Sequence, residues 1–153
     1  MHFNSDTAQD DSHALPSNGL YALKILYVED NRMNAILFEE AMRMNGGVEL
    51  QLAENGQEAL SLVERWIPDV LVLDAHLPDM DGYQLLTRLR QIDYLQNVPA
   101  FMCSADVQVQ DVKRAAQWGF VGYWPKPIDL NRVFADVNRL KEELNNATEN
   151  HPL

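Results

Sequence analysis

The sequence predicts an α/β domain in which helices cover both faces of a parallel β-sheet. Short apolar runs alternate with longer stretches of helical period, which is the pattern of successive β-α units. Residues 70–73 are apolar at every position, as in a strand buried on both faces, and they end in Asp74 before Pro78 and Gly82 interrupt the chain. Because open α/β sheets hold their sites at the carboxyl ends of strands, Asp74 is the first candidate functional residue.

Five segments have the length and apolar content of β-strands. The first ends in Glu29-Asp30, and the second alternates apolar and polar residues. The fourth is followed by Ser104, and the fifth carries Lys126 just beyond its end. The predicted strands are residues 24–28, 48–53, 70–73, 99–103 and 120–124.

Helices are predicted after each of these strands. Gly46-Gly47 stop the first helix and Gly119 stops the fourth, as glycine commonly does at helix ends. Asn55-Gly56 can mark a β-hairpin, but the helical spacing of the apolar residues after it favours a helix. The predicted helices are residues 32–44, 57–66, a segment after Gly82, 106–118 and 129–144.

Two of these helices carry apolar residues spaced for one buried face. We expect these faces to contact the sheet. In the first helix the predicted buried residues are Met33, Ile36, Leu37 and Ala41. In the last they are Leu130, Val133, Phe134, Val137 and Leu140.

Length and composition indicate one folded domain. The chain has 153 residues and 46% apolar residues, enough for a sizeable core without disulfides. Residues 1–20 contain no Lys or Arg and are expected to form a flexible acidic leader, 21–144 the domain, and 145–153 a polar tail.

Charge and cysteine content exclude several classes of protein. The net charge of -11 argues against direct binding of nucleic acid, which requires a basic surface. A single cysteine, Cys103, allows neither a disulfide framework nor a cysteine-based zinc site, and its apolar surroundings place it in the core. No stretch has the length of a membrane span and no signal peptide is evident, so we expect a cytoplasmic protein that does not enter a membrane.

Polar groups follow four of the five predicted strands. Glu29-Asp30, Asp74, Ser104 and Lys126 should converge, because the carboxyl ends of parallel strands share one edge of the sheet. Carboxylates held this closely repel one another and require a cation. Oxygen ligands in an open site favour magnesium, which shares its coordination sphere with phosphoryl oxygens. An aspartate can attack phosphorus to form an aspartyl phosphate, and the metal and an ammonium would neutralise the transferring group.

These residues resemble the receiver domain of two-component response regulators over about residues 22–140. The resemblance rests on Glu29-Asp30, on Asp74 with the segment 77–82 (LPDMDG), on Ser104-Ala105 and on Lys126-Pro127, in the order and approximate spacing of that family. It implies a flavodoxin-like, five-stranded parallel sheet with strand order 2-1-3-4-5 and helices on both faces.

The resemblance also implies roles for individual residues. Asp74 would accept a phosphoryl group from a histidine kinase or a histidine phosphotransfer protein, with at most slow self-catalysed chemistry rather than classical enzyme activity. Lys126 would pair with the phosphoryl oxygens, Ser104 would move to bind one of them, and Tyr123 would be the aromatic switch. The implied magnesium ligands are Asp30, Asp74 and the backbone carbonyl of His76, with Glu29 acting largely through water.

Simpler structural roles compete with these assignments. Glu29-Asp30 or Ser104 could cap the helices that follow them, and Asp74 alone could be an ordinary strand-end residue. Tyr123 could be no more than an aromatic residue at a strand end. Lys126 lies between two prolines, which would aim its side chain and are unusual around a random surface lysine. Asp79 and Asp81 are expected to belong to the turn before the third helix.

His76 departs from the family pattern, in which methionine or asparagine is more common at this position. We expect its side chain at the mouth of the site, although direct metal binding is an alternative. The hypothesis is that His76 and Asp106, which follows Ser104 by two residues, tune the lifetime of the aspartyl phosphate.

Three other functions compete with phosphorylation-dependent signalling. A pseudo-receiver would bind partners without being phosphorylated. A haloacid-dehalogenase-like phosphatase would need its Asp-x-Asp pair directly after the first strand, and a flavodoxin would need a phosphate-binding loop there, where Glu29-Asp30 would repel phosphate.

The context of the domain is also a matter of expectation. It could be a stand-alone receiver, a shuttle in a phosphorelay or the receiver of a hybrid kinase, and a monomer or a phosphorylation-dependent dimer. A downstream protein or domain would bind the face formed by residues 106–118, 120–124 and the last helix, where Val107 and Val109 are candidate contacts.

Overall fold

The computed structural model describes residues 21–150, and of residues 148–150 only the backbone. Within this range five strands form one sheet in the order β2-β1-β3-β4-β5, and all neighbouring strands pair in parallel. The predicted fold class and strand order are therefore confirmed. The strands are β1 (Leu23–Val28), β2 (Val48–Ala53), β3 (Val70–Asp74), β4 (Ala100–Ser104) and β5 (Gly122–Pro125).

Five α-helices alternate with the strands of this described segment. A short 3-10 helix, Asp93–Leu95, precedes β4. None of the helices in the described range is long and apolar enough to traverse a lipid bilayer. The α-helices are α1 (Arg32–Asn45), α2 (Gly56–Leu62), α3 (Gly82–Leu89), α4 (Val109–Gln117) and α5 (Leu130–Asn150).

The sheet buries a hydrophobic cluster on each of its faces. All residues of β3 and β4 are buried, which explains why residues 70–73 are apolar at every position. On the face covered by α1 and α5, the Trp124 ring stacks on Phe101 at 4.7 Å between centroids and lies 6.1 Å from Phe38. Packed aromatic rings from α1, β4 and β5 therefore support this face of the sheet.

The predicted buried face of α1 is wrong for three of its four residues. Met33, Ile36 and Leu37 are 61%, 45% and 58% exposed. The side chains that face the sheet are Phe38, Ala41 and Met42. Apolar residues occur on more than one side of this helix, so their spacing alone does not fix its rotation.

The first residue of α5 also differs from its predicted burial. The helical spacing predicts Leu130 in the core, but it is 43% exposed, whereas Val133, Val137 and Leu140 are buried as predicted. Leu130 and Leu37 instead line a cavity of about 290 Å³ between α1 and the segment that follows β5. Leu130 is the first residue of α5 and lies one turn before Val133, the first buried residue of that helix.

The helix ends also depart from the predicted bounds. α2 ends at Leu62 rather than 66, and it begins after Asn55, whose side chain accepts the Glu58 N–H, so the Asn-Gly pair starts a helix and not a hairpin. α5 continues six residues past the predicted end at 144, so most of the predicted polar tail is helical. There the Asn145 side chain donates to the Lys141 carbonyl and accepts the Tyr21 N–H. The predicted leader lies outside the described residues.

The start of α4 lies at Val109 and not at 106. Asp106 is held outside the helix because its N–H donates to the Ser104 hydroxyl at 3.0 Å and its carbonyl accepts a hydrogen bond from Tyr123. The Asp111 side chain then accepts the N–H of Gln108, the residue before α4, and so provides a hydrogen-bond partner for this backbone group at the helix start. Residues 105–108 are therefore a loop that is tied directly to the predicted site.

Candidate functional site

The predicted site residues meet at the carboxyl edge of the sheet. Asp74 is the last residue of β3, the middle strand, and Glu29 follows β1 beside it. Ser104 ends β4. In the described part of the chain, Glu29, Asp74 and Ser104 are the buried polar or charged residues, at 2%, 4% and 1% exposure. Burial of polar groups is costly unless they are paired, so this concentration at one edge marks a site and not ordinary core packing.

Glycine allows α3 to begin directly against Asp74. A Cβ atom at Gly82 would lie 2.7 Å from the Asp74 carbonyl oxygen, closer than side chains are found. The Gly82 N–H donates to the Ala75 carbonyl at 2.9 Å. The Gly82 that ends the LPDMDG segment therefore permits the close approach that shapes the loop after Asp74.

Lys126 joins the two buried carboxylates. Its Nζ lies 2.8 Å from Glu29 Oε1 and 3.0 Å from Asp74 Oδ2. Its backbone N–H donates to the Ser104 carbonyl at 2.8 Å, which fixes the lysine beside the end of β4. The Lys126-Pro127 peptide bond is cis. Lys126 is therefore a partly buried ion-pair partner, 19% exposed, and not a free surface lysine.

The pKa values of these groups are shifted by burial and by one another. Burial raises the pKa of Asp74, against hydrogen bonds from His76 and Lys126, and the neighbouring Glu29 carboxylate raises it further. Burial also opposes ionisation of Glu29, but hydrogen bonds from Lys126, Asp74 and Asn31 lower its pKa below the ordinary value. Burial disfavours the charged form of Lys126, yet its two carboxylate partners raise its pKa. Sharing one ammonium, the two neighbouring carboxylates therefore shift in opposite directions, the pKa of Glu29 downward and that of Asp74 upward.

Three carboxylates lie close enough to share one metal ion. One oxygen from each of Glu29, Asp30 and Asp74 falls within 4.8 Å of the others, and Asp30 is exposed at the opening. Three carboxylates face one ammonium, that of Lys126, which leaves an excess of negative charge. A set of hard oxygen ligands with this charge fits a divalent cation.

Ser104, Tyr123 and His76 line a small cavity that Ala75, the residue after Asp74, also lines. The cavity has a volume of about 120 Å³ and is also lined by Asp106. Asp106 contacts all three: its N–H donates to the Ser104 hydroxyl, its carbonyl accepts from the Tyr123 hydroxyl, and its carboxylate lies 2.8 Å from His76 Nε2. Burial raises the pKa of Tyr123. Asp106, in the loop between β4 and α4, is therefore connected to the side chains of Ser104, Tyr123 and His76.

The side chain of His76 lies at the mouth of this cavity. It is 72% exposed and is paired with Asp106, which is 50% exposed. Its backbone N–H donates to Asp74 Oδ1 at 3.1 Å. The imidazole thus bridges the loops that follow β3 and β4, while the backbone of the same residue orients the Asp74 carboxylate.

The capping alternatives are resolved by the helix starts. Asn31, not Asp30, caps α1 by accepting the Asn34 N–H. The Ser104 hydroxyl bonds within its own loop, five residues before α4 begins. Glu29-Asp30 and Ser104 are therefore free of the capping roles considered from the sequence.

The two aspartates of the LPDMDG segment have different structural roles. Asp81 caps α3, as expected for the turn before that helix, and accepts the Gln84 N–H. Asp79 accepts the N–H groups of Gly56 and Gln57 at 2.9 Å and so caps α2 from a distant loop. These hydrogen bonds, that from Gly56 foremost, lower the pKa of Asp79.

Sequence reasoning missed the contribution of Tyr27. This residue of β1 is completely buried, and its hydroxyl donates to Glu29 Oε1 at 2.9 Å. The available signal was a tyrosine two positions before a carboxylate, because alternate residues of a strand point to the same face. A buried tyrosine hydroxyl requires a hydrogen-bond partner, and here Glu29 is that partner.

Comparison with known proteins identifies the family. Residues 25–138 match the model of the response regulator receiver domain. The chain belongs to the response regulator receiver domain family. This family acts in two-component signalling and is not a class of classical enzymes, so the phosphatase and flavodoxin alternatives are excluded.

Individual relatives agree with this assignment. The receiver domain described here is 31% identical to the chemotaxis protein CheY of Bacillus subtilis over 118 residues, 77% of this chain and 97% of that protein. It is 31% identical to the polar-differentiation response regulator DivK of Brucella anthropi over 113 residues, 74% of this chain and 91% of that protein. Receiver domains therefore account for nearly the whole described fold.

A solved structure gives a comparison for the site as well as for the fold. The receiver domain of a sensor histidine kinase from Pseudomonas aeruginosa superimposes with a TM-score of 0.71 at 27% identity, covering 79% of this chain and 98% of that one. That structure holds a magnesium ion in its active-site cleft.

Proposed function

We propose that this receiver domain accepts a phosphoryl group on Asp74 from a histidine kinase or a histidine phosphotransfer protein, with Mg²⁺ at the acidic cluster. The observation that carries the proposal is the buried Asp74 carboxylate, which shares one ammonium with Glu29 next to a third carboxylate, Asp30. Such a site binds a cation and presents a nucleophilic oxygen at the same point.

Each role in the proposed phosphoryl transfer can be assigned to a residue of the site. An Asp74 oxygen forms a bond to phosphorus while the bond from phosphorus to the donor breaks, and the donor leaves with that electron pair. Lys126 shifts from the two carboxylates to the phosphoryl oxygens. The residues that would hold Mg²⁺ are Asp30, Asp74 and the His76 backbone carbonyl, with Glu29 bound through water. The bound ion would neutralise charge on the transferring oxygens.

Signalling would follow from the hydrogen bonds of Asp106. If the Ser104 hydroxyl turns to a phosphoryl oxygen, it gives up the Asp106 N–H, and the loop that also holds Tyr123 must rearrange. This loop leads into α4, where apolar side chains lie exposed to solvent. A partner protein that recognises the phosphorylated state would bind there. The exposed residues are Val107, Val109, Val112, Trp118 and Val121.

The test is intact-mass analysis after incubation with acetyl phosphate, with and without Mg²⁺. We expect a gain of one phosphoryl group that requires Mg²⁺ and is absent from Asp74→Asn. Asp69→Asn is the matched control, because Asp69 is a partly buried carboxylate that accepts the Lys24 N–H away from the acidic cluster. An unmodified wild-type protein under every donor would instead support a pseudo-receiver that binds partners without phosphorylation.

The pair formed by His76 and Asp106 yields a separate prediction. Both side chains are exposed, so their attraction adds little stability, but the pair lines the cavity between the loops that follow β3 and β4. We expect Asp106→Ala and His76→Met to speed loss of the phosphoryl group about tenfold by admitting water, with unchanged thermal stability. The measurement is the decay of phosphorylated protein by mass spectrometry.

This substitution at Asp106 leaves its backbone contacts with Ser104 and Tyr123 in place, so it isolates the carboxylate. Asp93→Ala, at an exposed position in the 3-10 helix, is the control. Decay rates equal to that of the wild type in both variants would contradict the role of the pair.

A further inference from the structure

Tyr27 lies directly beneath the acidic cluster. It is completely buried in β1, and its ring contacts Phe38 at 4.4 Å between centroids. Its hydroxyl donates to Glu29 Oε1 at 2.9 Å. Burial, foremost, and the nearby Cys103 and Glu29 raise the pKa of Tyr27 well above its usual range, so the hydroxyl remains a donor at any working pH.

Both oxygens of Glu29 are occupied by donors from the protein. Oε1 accepts from the Tyr27 hydroxyl and from Lys126 Nζ, and Oε2 accepts the Asn31 N–H at 3.1 Å. Asp30, by contrast, is exposed at the opening of the site. Glu29 is therefore held in place by three donors from the protein, whereas Asp74 accepts from two, the His76 N–H and Lys126 Nζ, and Asp30 lies exposed.

Lys126 cannot serve Glu29 and a phosphoryl group equally well. In this structure its ammonium is divided between Glu29 and Asp74. When it turns to phosphoryl oxygens, Glu29, which is 2% exposed in this structure, loses part of its charge compensation. A buried carboxylate left with too few donors is costly, so whatever still binds Glu29 determines how readily Lys126 can leave.

We propose that Tyr27 is a positioning residue of the phosphorylation site, whose hydroxyl keeps Glu29 out of direct contact with the metal and frees Lys126 for the phosphoryl group. The part concerning Lys126 rests on the proposed function. The part concerning the metal does not, since it can be measured without any phosphoryl donor.

The test is Tyr27→Phe, which removes the hydroxyl and retains the ring. Isothermal titration with MgCl₂ should show several-fold tighter binding, because Glu29 loses a compensating dipole and can turn toward the ion. Phosphorylation by acetyl phosphate at saturating Mg²⁺ should slow by about tenfold, because Lys126 becomes a main remaining partner of Glu29. A merely structural role for Tyr27 would weaken both properties together, so weaker or unchanged Mg²⁺ binding would overturn the proposal.

A double-mutant cycle with Glu29→Gln tests whether Tyr27 acts through Glu29. In that background Tyr27→Phe should leave Mg²⁺ affinity unchanged, and a further tightening would contradict the proposed route. Tyr94→Phe is the matched control, since its hydroxyl binds the Val63 carbonyl far from the cluster and its loss should change neither measurement.

The experiments distinguish a failure of the role proposed for Tyr27 from a failure of the proposed phosphorylation of Asp74. If wild-type protein is not phosphorylated, the proposed function fails while the Mg²⁺ titrations still decide the role of Tyr27. If Tyr27→Phe does not fold, Glu29→Gln alone remains informative: it should retain Mg²⁺ binding within about tenfold of the wild type, whereas a loss beyond about 100-fold would show Glu29 to be a direct ligand.

Discussion

Replacing Lys126 with alanine should destabilise the metal-free domain by about 3 kcal/mol and slow phosphorylation at least about 100-fold. The side chains of Glu29 and Asp74 are 1% and 6% exposed. Each forms an ion pair with Lys126, whose ammonium compensates their negative charge. Its loss leaves two buried carboxylates side by side. The reaction also loses the ammonium that would receive the phosphoryl oxygens.

The loss of stability in Lys126→Ala should depend on pH. Without the ammonium, the folded-state pKa values of the two carboxylates rise above their unfolded values. The folded protein then binds more protons than the unfolded chain, so the variant loses stability as pH rises through these pKa values. Urea unfolding at two pH values measures this, and saturating Mg²⁺ should restore much of the lost stability because the ion compensates the same charges.

Lys113→Ala is the control for this substitution, since Lys113 is an exposed lysine on α4. It should change neither stability nor phosphorylation. If Lys126→Ala unfolded at the wild-type urea concentration in the absence of metal, the buried ion pairs would not have the role assigned to them.

Phe38→Ala should cost about 3–5 kcal/mol of unfolding free energy, whereas the neighbouring Leu37→Ala should cost about 0.5 kcal/mol or less. Phe38 is 1% exposed and packs between Tyr27 and Trp124, so its removal opens a cavity. Leu37 is 58% exposed and loses few contacts when shortened. Urea unfolding monitored by circular dichroism distinguishes the two variants by their midpoints.

This pair of substitutions tests the rotation of α1 about its axis. The spacing of apolar residues in the sequence favours Leu37 as a core residue, and the structure favours Phe38. A larger loss of stability for Leu37→Ala than for Phe38→Ala would mean that the sequence-based expectation was right. Since α1 follows Glu29-Asp30 directly, its rotation also affects which side chains flank the acidic cluster.

Several features of this protein follow from its sequence alone. The alternation of apolar runs with helical segments determines an α/β sheet, because each pattern satisfies the backbone geometry of one kind of element. The polar residues after the strands indicate the site, because parallel strands bring their carboxyl ends to one edge whatever the connecting helices contain. Glu29, Asp30, Asp74 and Lys126 therefore converge as expected.

Only the tertiary structure decided which neighbour each side chain would have. Phe38 rather than Leu37 faces the sheet because its ring fits between Tyr27 and Trp124, and no spacing rule contains that fit. Asp79 caps a helix that begins 23 residues earlier. The hydrogen bond of Tyr27 to Glu29 likewise depends on burial and direction as well as on strand alternation. Local pattern is set by periodic backbone geometry, whereas these contacts are set by packing of elements distant in the chain, and that is the physical reason for the division.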